Sequence, residues 1–305
     1  MKFHFAIRAI AFLIIFVFHQ TLSSNEPEQF TRTRPDGSVL KGYLSPPTGS
    51  KTFPIAILCQ GSYSEQCTTQ SVYPFHQIIA RFFNEAGIGV LSIEKRGVDR
   101  DSFDANIFHE YNVIKNRIDD YKQVLEALRN NTMSGWNSQL IFIGTSEGGW
   151  IAPRLAHSAP ETIAVLIFGG AGAWKFKDEI TLLLKKNSSP LSEKEIELQF
   201  KTMTEDPSPQ KFWLSQTYKF WAQALDLSNR DDIINLSCPV YLSIGSNDDV
   251  IESSDELWKL VQKKKKSNIT YARYEGLSHN MLDDRYTVFP DAIKWIGNIL
   301  QNKGF

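Results

Sequence analysis

Residues 139–150, Gln-Leu-Ile-Phe-Ile-Gly-Thr-Ser-Glu-Gly-Gly-Trp, decide how the rest of the chain is organised. A run of apolar residues leads into a Gly-x-Ser-x-Gly motif, and apolar residues at helical spacing follow it. This pattern predicts a buried strand, a sharp turn and a helix. Gly144 and Gly148 suit such a turn, because side chains there would collide with the neighbouring strand and helix. Ser146 is therefore predicted to stand at the tip of the turn with its hydroxyl exposed.

The surroundings of Ser146 favour a chemical role for this turn. The following helix points its N-terminus at the serine, so that unpaired backbone N–H groups face any negative charge that develops there. The chain contains no second Gly-x-Ser-x-Gly motif. A glycine-rich turn that only connects a strand to a helix is the alternative interpretation.

The segments around this turn alternate between buried strands and helices. Between the strands lie stretches with one apolar face, which predict helices. A hairpin around Asp36-Gly37 precedes the alternation. The predicted strands lie at residues 53–59, 88–93, 162–168, 238–244 and 269–274. The pattern predicts the α/β class, with a mostly parallel central sheet flanked by helices on both faces.

The alternation stops between about residues 174 and 235, where two or three helical patterns follow one another without a visible strand. We interpret this stretch as a helical cap, or lid, inserted into an α/β domain that spans residues 25–305. Its aromatic side chains either cover a substrate pocket or pack the helices together, and the pattern leaves both interpretations open. They are Phe200, Phe212, Trp213, Tyr218, Phe220 and Trp221.

Residues 1–24 have the three parts of a secretory signal peptide. Lys2 and Arg8 make the start basic, residues 9–18 are an uninterrupted apolar run, and small polar residues follow. The apolar run is shorter than the roughly 20 residues of a membrane-spanning helix. We expect a cleaved signal peptide, a secreted or periplasmic protein and no stable membrane span after cleavage. An uncleaved N-terminal membrane anchor is the alternative.

The composition of the 305 residues is ordinary for a globular protein, with 42% hydrophobic residues, 22% charged residues and a formal net charge of −1. This balance gives no reason to expect a nucleic-acid partner. Cys59, Cys67 and Cys238 lack the spacing of a metal site, so no metal is expected. An oxidising compartment would permit a bridge between Cys59 and Cys67, and buried unpaired thiols are the alternative.

A serine hydroxyl needs a base that removes its proton and a group that orients this base. Of the four histidines after residue 24, His76 and His157 fall on predicted helices, and His109 precedes one. Only His279 lies in a loop directly after a strand of the predicted sheet. His279 is therefore the predicted base.

The orienting acid should follow a strand that lies between the serine and the histidine in the chain. Asp248 and Asp249 both meet this condition. Asp248 is preferred, because it lies three residues past Gly245 at the end of its strand. Asp249 is then expected to be a surface or helix-capping carboxylate.

The tetrahedral intermediate of acyl transfer carries an oxyanion that needs two hydrogen-bond donors. The backbone N–H of Glu147, directly after the serine, is the first expected donor. The second should come from the loop after the strand at residues 53–59, where the N–H of Ser62 is preferred and that of Tyr63 is the alternative.

These residues resemble the α/β-hydrolase superfamily of serine hydrolases, in which the triad follows the chain order Ser, Asp, His. The resemblance covers residues 53–300. It implies the α/β-hydrolase fold and a triad of Ser146, Asp248 and His279, but no particular substrate. The motifs that carry it are Gly144-Thr145-Ser146-Glu147-Gly148-Gly149, Gly245-Ser246-Asn247-Asp248 and Gly276-Leu277-Ser278-His279.

Two further loops resemble those of the bacterial esterase branch, near the dienelactone hydrolase and prolyl-oligopeptidase-like groups. They are Gln60-Gly61-Ser62 and Glu94-Lys95-Arg96-Gly97. Many family members have histidine in place of Gln60, and many have histidine before the nucleophile, where this chain has Thr145. Neither departure removes a catalytic group.

The sequence thus predicts a carboxylesterase-like serine hydrolase that works through an acyl-enzyme intermediate. We expect a small-molecule ester or acyl compound as substrate and no cofactor. The same triad would also serve a peptidase or amidase, a thioesterase or an acyltransferase. A third interpretation is a non-catalytic scaffold kept for binding, because a fold alone does not prove activity.

Overall fold

The computed structural model describes residues 26–62, 71–130, 133–279 and 284–302. The predicted signal peptide, Tyr63 and Cys67 lie outside these ranges, so their predictions stay open. Within the described ranges, we find no helix with the length and hydropathy that a membrane crossing requires.

An eight-stranded sheet forms the centre of the molecule. The N-terminal hairpin forms one edge of the sheet, with β1 antiparallel to β2 and β2 antiparallel to β4. The other six strands are parallel to one another, in the order β4-β3-β5-β6-β9-β10. The strands of this sheet are β1 (Glu28–Thr33), β2 (Val39–Ser45), β3 (Phe53–Cys59), β4 (Gly89–Ile93), β5 (Trp136–Thr145), β6 (Thr162–Phe168), β9 (Val240–Gly245) and β10 (Ile269–Tyr274).

Helices cover both faces of the sheet and create two separate cores. Successive side chains of a strand point to opposite faces, so Ile55 and Ile57 pack in one core while Ala56 and Leu58 pack in the other. The helices outside residues 174–235 are α1 (Tyr73–Glu85), α2 (Ala105–Tyr111), α3 (Ile114–Arg129), α4 (Gly148–Ser158), α9 (Ile251–Lys263) and α10 (Arg285–Asn302). The predicted α/β architecture is confirmed.

His109 precedes helix α3, as predicted, but the sequence analysis missed helix α2. His109 lies within this short helix, which begins after Asp104. The Asp104 side chain accepts a hydrogen bond from the Ile107 N–H at 3.1 Å and so caps the first turn. A helix of seven residues is too short to leave a clear apolar periodicity in the sequence.

The segment between β6 and β9 contains four helices and also a small hairpin, which the sequence prediction missed. Leu214 and Ser215 form its turn with φ of +45° and +63°. Such turns usually carry Asn or Gly, so the hairpin signal was missing from the sequence. The elements are α5 (Phe176–Lys186), α6 (Glu193–Glu205), β7 (Phe212–Trp213), β8 (Gln216–Thr217), α7 (Tyr218–Ala224) and α8 (Arg230–Ile234).

Aromatic side chains of this segment pack it against the sheet domain. Trp221 is 2% exposed, and its ring stacks on Phe176 with a centroid distance of 5.4 Å. The ring of Phe176 in turn contacts that of Trp150 in α4, with a centroid distance of 4.4 Å. Phe200 and Phe220 are also buried. These side chains therefore belong to the core that joins the segment to α4, the helix that follows Ser146.

Candidate active site

The turn between β5 and α4 holds Ser146 in the left-handed backbone region, with φ of +50°. Residues other than glycine rarely adopt this conformation. A Cβ at Gly144 would lie 2.5 Å from the Gly148 carbonyl oxygen, and one at Gly148 would lie 1.8 Å from the Cys59 carbonyl oxygen. The two glycines of the motif are therefore needed for the close approach of β3, β5 and α4.

The structure brings the three predicted triad residues together. His279 Nε2 lies 2.9 Å from Ser146 Oγ, and His279 Nδ1 lies 2.7 Å from Asp248 Oδ2. Asp248 is 3% exposed, and its other oxygen accepts a hydrogen bond from the Val250 N–H at 3.0 Å. Asp249 is exposed. Of the two candidate acids, Asp248 is the one that contacts the histidine.

The parallel strands explain how residues so far apart in the chain meet. Ser146 follows β5, Asp248 follows β9 and His279 follows β10. The carboxyl ends of parallel strands lie at the same edge of a sheet, where sites of open α/β folds form. The chain therefore delivers each side chain to this edge on its own loop.

The charges around His279 favour proton uptake by its ring. Burial lowers the pKa of His279, but the hydrogen bond and charge of Asp248 outweigh it, so the pKa lies above its ordinary value. The charges of Glu179 and Asp249 raise it further. The imidazole is therefore suited to accept the proton of Ser146 and to carry the resulting positive charge.

The predicted oxyanion donors belong to the residue after Ser146 and to a loop that contacts Ser146 through Gly61. The Glu147 N–H is at the start of α4 and, within the described residues, has no acceptor of its own. Gly61, which precedes Ser62, lies so close that a Cβ there would be 3.1 Å from Ser146 Cβ. The Gly61 N–H donates to Thr145 Oγ1 at 3.1 Å. Thr145, a departure from the family pattern, thus anchors the loop that carries Ser62.

Asn229 also supports the site, although the sequence analysis did not select it. Its side chain is 1% exposed and donates to the carbonyl oxygens of Gly149 at 3.0 Å and Gly170 at 2.5 Å. Its Oδ1 accepts from the Gly172 N–H at 3.1 Å. Asn229 therefore ties the loop after β6 to the first turn of α4, and no motif in the sequence marks it.

Glu179 of α5 is a second residue that sequence reasoning missed. Burial raises the pKa of this carboxyl group to about 7, although it accepts a hydrogen bond from Ser253 Oγ at 2.6 Å. Its charge interacts with those of Asp248 and His279. An acidic residue in the first turn of a helix is common, so the sequence around Glu179 carried no signal of this location.

A serine in a sharp turn after a parallel strand, with an acid and a histidine at later strand ends, is the arrangement typical of the α/β-hydrolase fold. Residues 70–286, well over half of the chain, match the family model described as serine aminopeptidase, S33. The chain belongs to this family. Within the described ranges, no cluster of three or more histidine, cysteine or acidic side chains forms a metal site.

Individual proteins match this chain with low sequence identity. Esterase EstD from Thermotoga maritima is 24% identical over 264 residues, which are 84% of this chain and 61% of EstD. The chain thus spans about three fifths of the length of that relative.

Two solved structures show the same fold. A 2,6-dihydroxy-pseudo-oxynicotine hydrolase has 18% identity and a TM-score of 0.63, over 92% of this chain and 69% of its own. The Pyrococcus furiosus esterase Pf2001 has 17% identity and a TM-score of 0.62, over 91% of each chain.

Proposed function

We propose that this protein hydrolyses carboxylic esters through an acyl-enzyme intermediate. The observation that carries the proposal is the contact of His279 with both Ser146 Oγ, at 2.9 Å, and Asp248 Oδ2, at 2.7 Å. The names of two similar proteins, EstD and Pf2001, support ester hydrolysis over other acyl transfers.

In the proposed mechanism, Ser146 Oγ attacks the ester carbonyl carbon while His279 Nε2 takes the hydroxyl proton. The Asp248 carboxylate stabilises the imidazolium, and the N–H groups of Glu147 and Ser62 donate to the oxyanion. The imidazolium then gives its proton to the departing alkoxide, which leaves as the alcohol. Water, activated by the same histidine, attacks the acyl-enzyme and releases the acid and free Ser146.

Intact-mass labelling with a fluorophosphonate, followed by an ester panel graded by acyl length, tests this proposal. We expect one adduct on the wild-type protein and none on Ser146→Ala. The variant should lose ester hydrolysis by at least about 10³-fold, because the nucleophile is absent. Undiminished hydrolysis by Ser146→Ala would overturn the mechanism. A folded wild type that takes no label and cleaves no ester would support the binding-scaffold interpretation.

Amide hydrolysis is the second candidate, because the family model is described as a serine aminopeptidase. Amino-acid p-nitroanilides and p-nitrophenyl esters with the same acyl groups separate the two activities. For the proposed esterase, the ratio of kcat/KM for the ester to kcat/KM for the anilide should exceed the ratio of the uncatalysed hydrolysis rates of the two compounds. Adding a thioester and an alcohol acceptor to the panel extends the comparison to thioesterase and acyltransferase activity.

We also propose that the protein is exported, with removal of residues 1–24. Support comes from the basic start and the ten-residue apolar run at residues 9–18. N-terminal sequencing of the mature protein tests this. A start between Ser23 and Asn25 is expected, whereas a start at Met1 would favour a membrane anchor.

A further inference from the structure

The loop Gln60–Ser62 has two peptide groups whose orientation decides where the Ser62 N–H points. The first joins Gln60 to Gly61, and the second joins Gly61 to Ser62. Side chains from elsewhere in the fold hold a carbonyl oxygen of each group. Because the C=O and N–H of a trans peptide point in opposite directions, holding a carbonyl oxygen also sets the direction of the N–H.

The first peptide group is held at both ends. Arg117 of α3 is buried, donates to the Gln60 carbonyl oxygen and forms an ion pair with Glu147. On the other side of the same peptide, the Gly61 N–H donates to Thr145 Oγ1. This peptide therefore cannot rotate without breaking two hydrogen bonds, one of them with a buried cation.

The second peptide group is held by Lys95, which is 6% exposed and follows β4. Its Nζ donates to the Gly61 carbonyl oxygen at 2.9 Å. In the sheet, β3 lies between β4 and β5. The Gly61 carbonyl therefore points towards the β4 side, and the Ser62 N–H points towards the β5 side, where Ser146 lies.

We propose that Lys95 is a positioning residue of the oxyanion hole. It keeps the Gly61–Ser62 peptide turned so that the Ser62 N–H faces the oxyanion that forms at Ser146. A cation at the carbonyl oxygen also polarises the peptide and strengthens its N–H as a donor. This inference rests on the proposed acyl-transfer function and assigns a role to a side chain that is too buried to bind substrate.

The test compares Lys95→Met, which keeps the aliphatic stem, with Lys95→Arg, which keeps a cationic donor. Lys41→Met is the matched control, because Lys41 and Lys95 line one surface cavity, but Lys41 pairs with Asp99 instead of the oxyanion loop. The second-order rate of fluorophosphonate labelling and the kcat and KM for p-nitrophenyl butyrate are measured for each. Lys95→Gln and urea unfolding accompany these variants as a check on folding.

For Lys95→Met we expect the labelling rate and kcat to fall about 10- to 100-fold. This decrease is no larger than the one that removal of a whole oxyanion donor causes. KM should stay within about twofold, because ground-state binding does not use the oxyanion hole. Lys95→Arg should recover most of the rate, and Lys41→Met should match the wild type.

The inference is wrong if folded Lys95→Met is labelled at the wild-type rate. It is also wrong if only KM changes, or if Lys41→Met loses as much labelling rate and kcat as Lys95→Met. If Lys95→Met does not fold, the same criteria apply to Lys95→Gln. A wild type that labels but cleaves no ester would refute ester hydrolysis alone, and the labelling rates would still decide the role of Lys95. A wild type that does not label would overturn both proposals.

Discussion

Ser146 keeps a strained backbone conformation because hydrogen bonds fix the turn on both sides. Its N–H donates to the Phe168 carbonyl oxygen at 3.0 Å, and its own carbonyl oxygen accepts from the Gly149 N–H at 2.8 Å. A left-handed residue other than glycine costs on the order of 1–3 kcal/mol, which the surrounding structure must offset. The result is a hydroxyl that stays directed at His279.

Replacing Asp248 by asparagine keeps the shape of the side chain and removes its charge. We expect kcat/KM for a p-nitrophenyl ester to fall by about 10⁴-fold, because the amide favours the wrong imidazole tautomer and cannot stabilise the imidazolium. Asp249→Asn is the matched control and should stay within about threefold, since Asp249 is exposed. Equal losses in the two variants would contradict the assignment of the acid.

Glu179→Gln should move the acidic limb of the kcat/KM profile to lower pH. His279 must be neutral to act as a base, and the Glu179 charge raises the pKa of His279. Removing that charge lowers this pKa. Because the pKa of Glu179 is about 7, its charge is present near and above neutral pH, so the variant should keep more activity than the wild type around pH 7 and converge with it as Glu179 becomes protonated in more acidic buffer. Glu193→Gln, on an exposed part of α6, should leave the profile unchanged. A move of the Glu179→Gln limb to higher pH would refute this account.

Helix α1 packs against the sheet through a buried histidine that stays neutral. His76 is 0% exposed and forms hydrogen bonds of 2.8 Å with Ser45 Oγ of β2 and Ser92 Oγ of β4. Burial lowers the pKa of His76 to about 4. The element is therefore joined to the sheet through an imidazole that burial keeps neutral and that two serine hydroxyls satisfy.

This histidine should make stability depend on pH. Between about pH 4 and 6.5 the unfolded state binds more protons than the folded state, so the stabilisation is present above that window and is lost as pH falls through it. From pH 7 to 4.5 we expect His76 to account for a loss of about 2–3 kcal/mol in the free energy of unfolding. In urea unfolding, His76→Gln should not show this pH-dependent loss of stability. His157→Gln, which replaces an exposed histidine, should still show it.

At the scale of the whole molecule, one carboxylate joins three distant parts of the chain. Asp120 of α3 forms ion pairs with Arg34, which follows β1, at 2.7 Å and with Arg96, which follows β4, at 3.0 Å. The side chains of Asp120 and Arg34 are 5% and 2% exposed. The cluster therefore fastens the N-terminal hairpin to α3 and to the loop after β4.

Asp120→Asn should lower the free energy of unfolding by about 3–5 kcal/mol, because the buried guanidinium group of Arg34 loses its counter-charge and that of Arg96 keeps only Asp36. Asp119→Asn is the control on the same helix. Its side chain is 40% exposed and pairs with solvated lysines, so the cost should stay below about 1 kcal/mol. Urea unfolding measures both. If both variants lower the free energy of unfolding by a similar small amount, the cluster contributes little to stability.

The sequence determined the features that depend on neighbouring residues. Apolar periodicity is local, so it predicted the strands of the parallel sheet, and the glycines around Ser146 predicted the sharp turn. The chain order of Ser146, Asp248 and His279 followed from which strands they succeed. Helix α2 and the hairpin β7–β8 were not predicted, because they are too short to show an apolar periodicity in the sequence.

Only the tertiary structure decided which side chains meet. Asp248 and Asp249 are adjacent in sequence, and the structure shows that Asp248 is buried against His279 while Asp249 is exposed. Glu179 and Arg117 lie in no motif, and the loop motif that contains Lys95 did not indicate its contact, because each of the three acts on residues that lie at least 30 positions away in the chain. Burial and the closeness of charges arise only when the sheet assembles, so their effects on pKa and on the direction of a peptide N–H cannot be derived from local sequence.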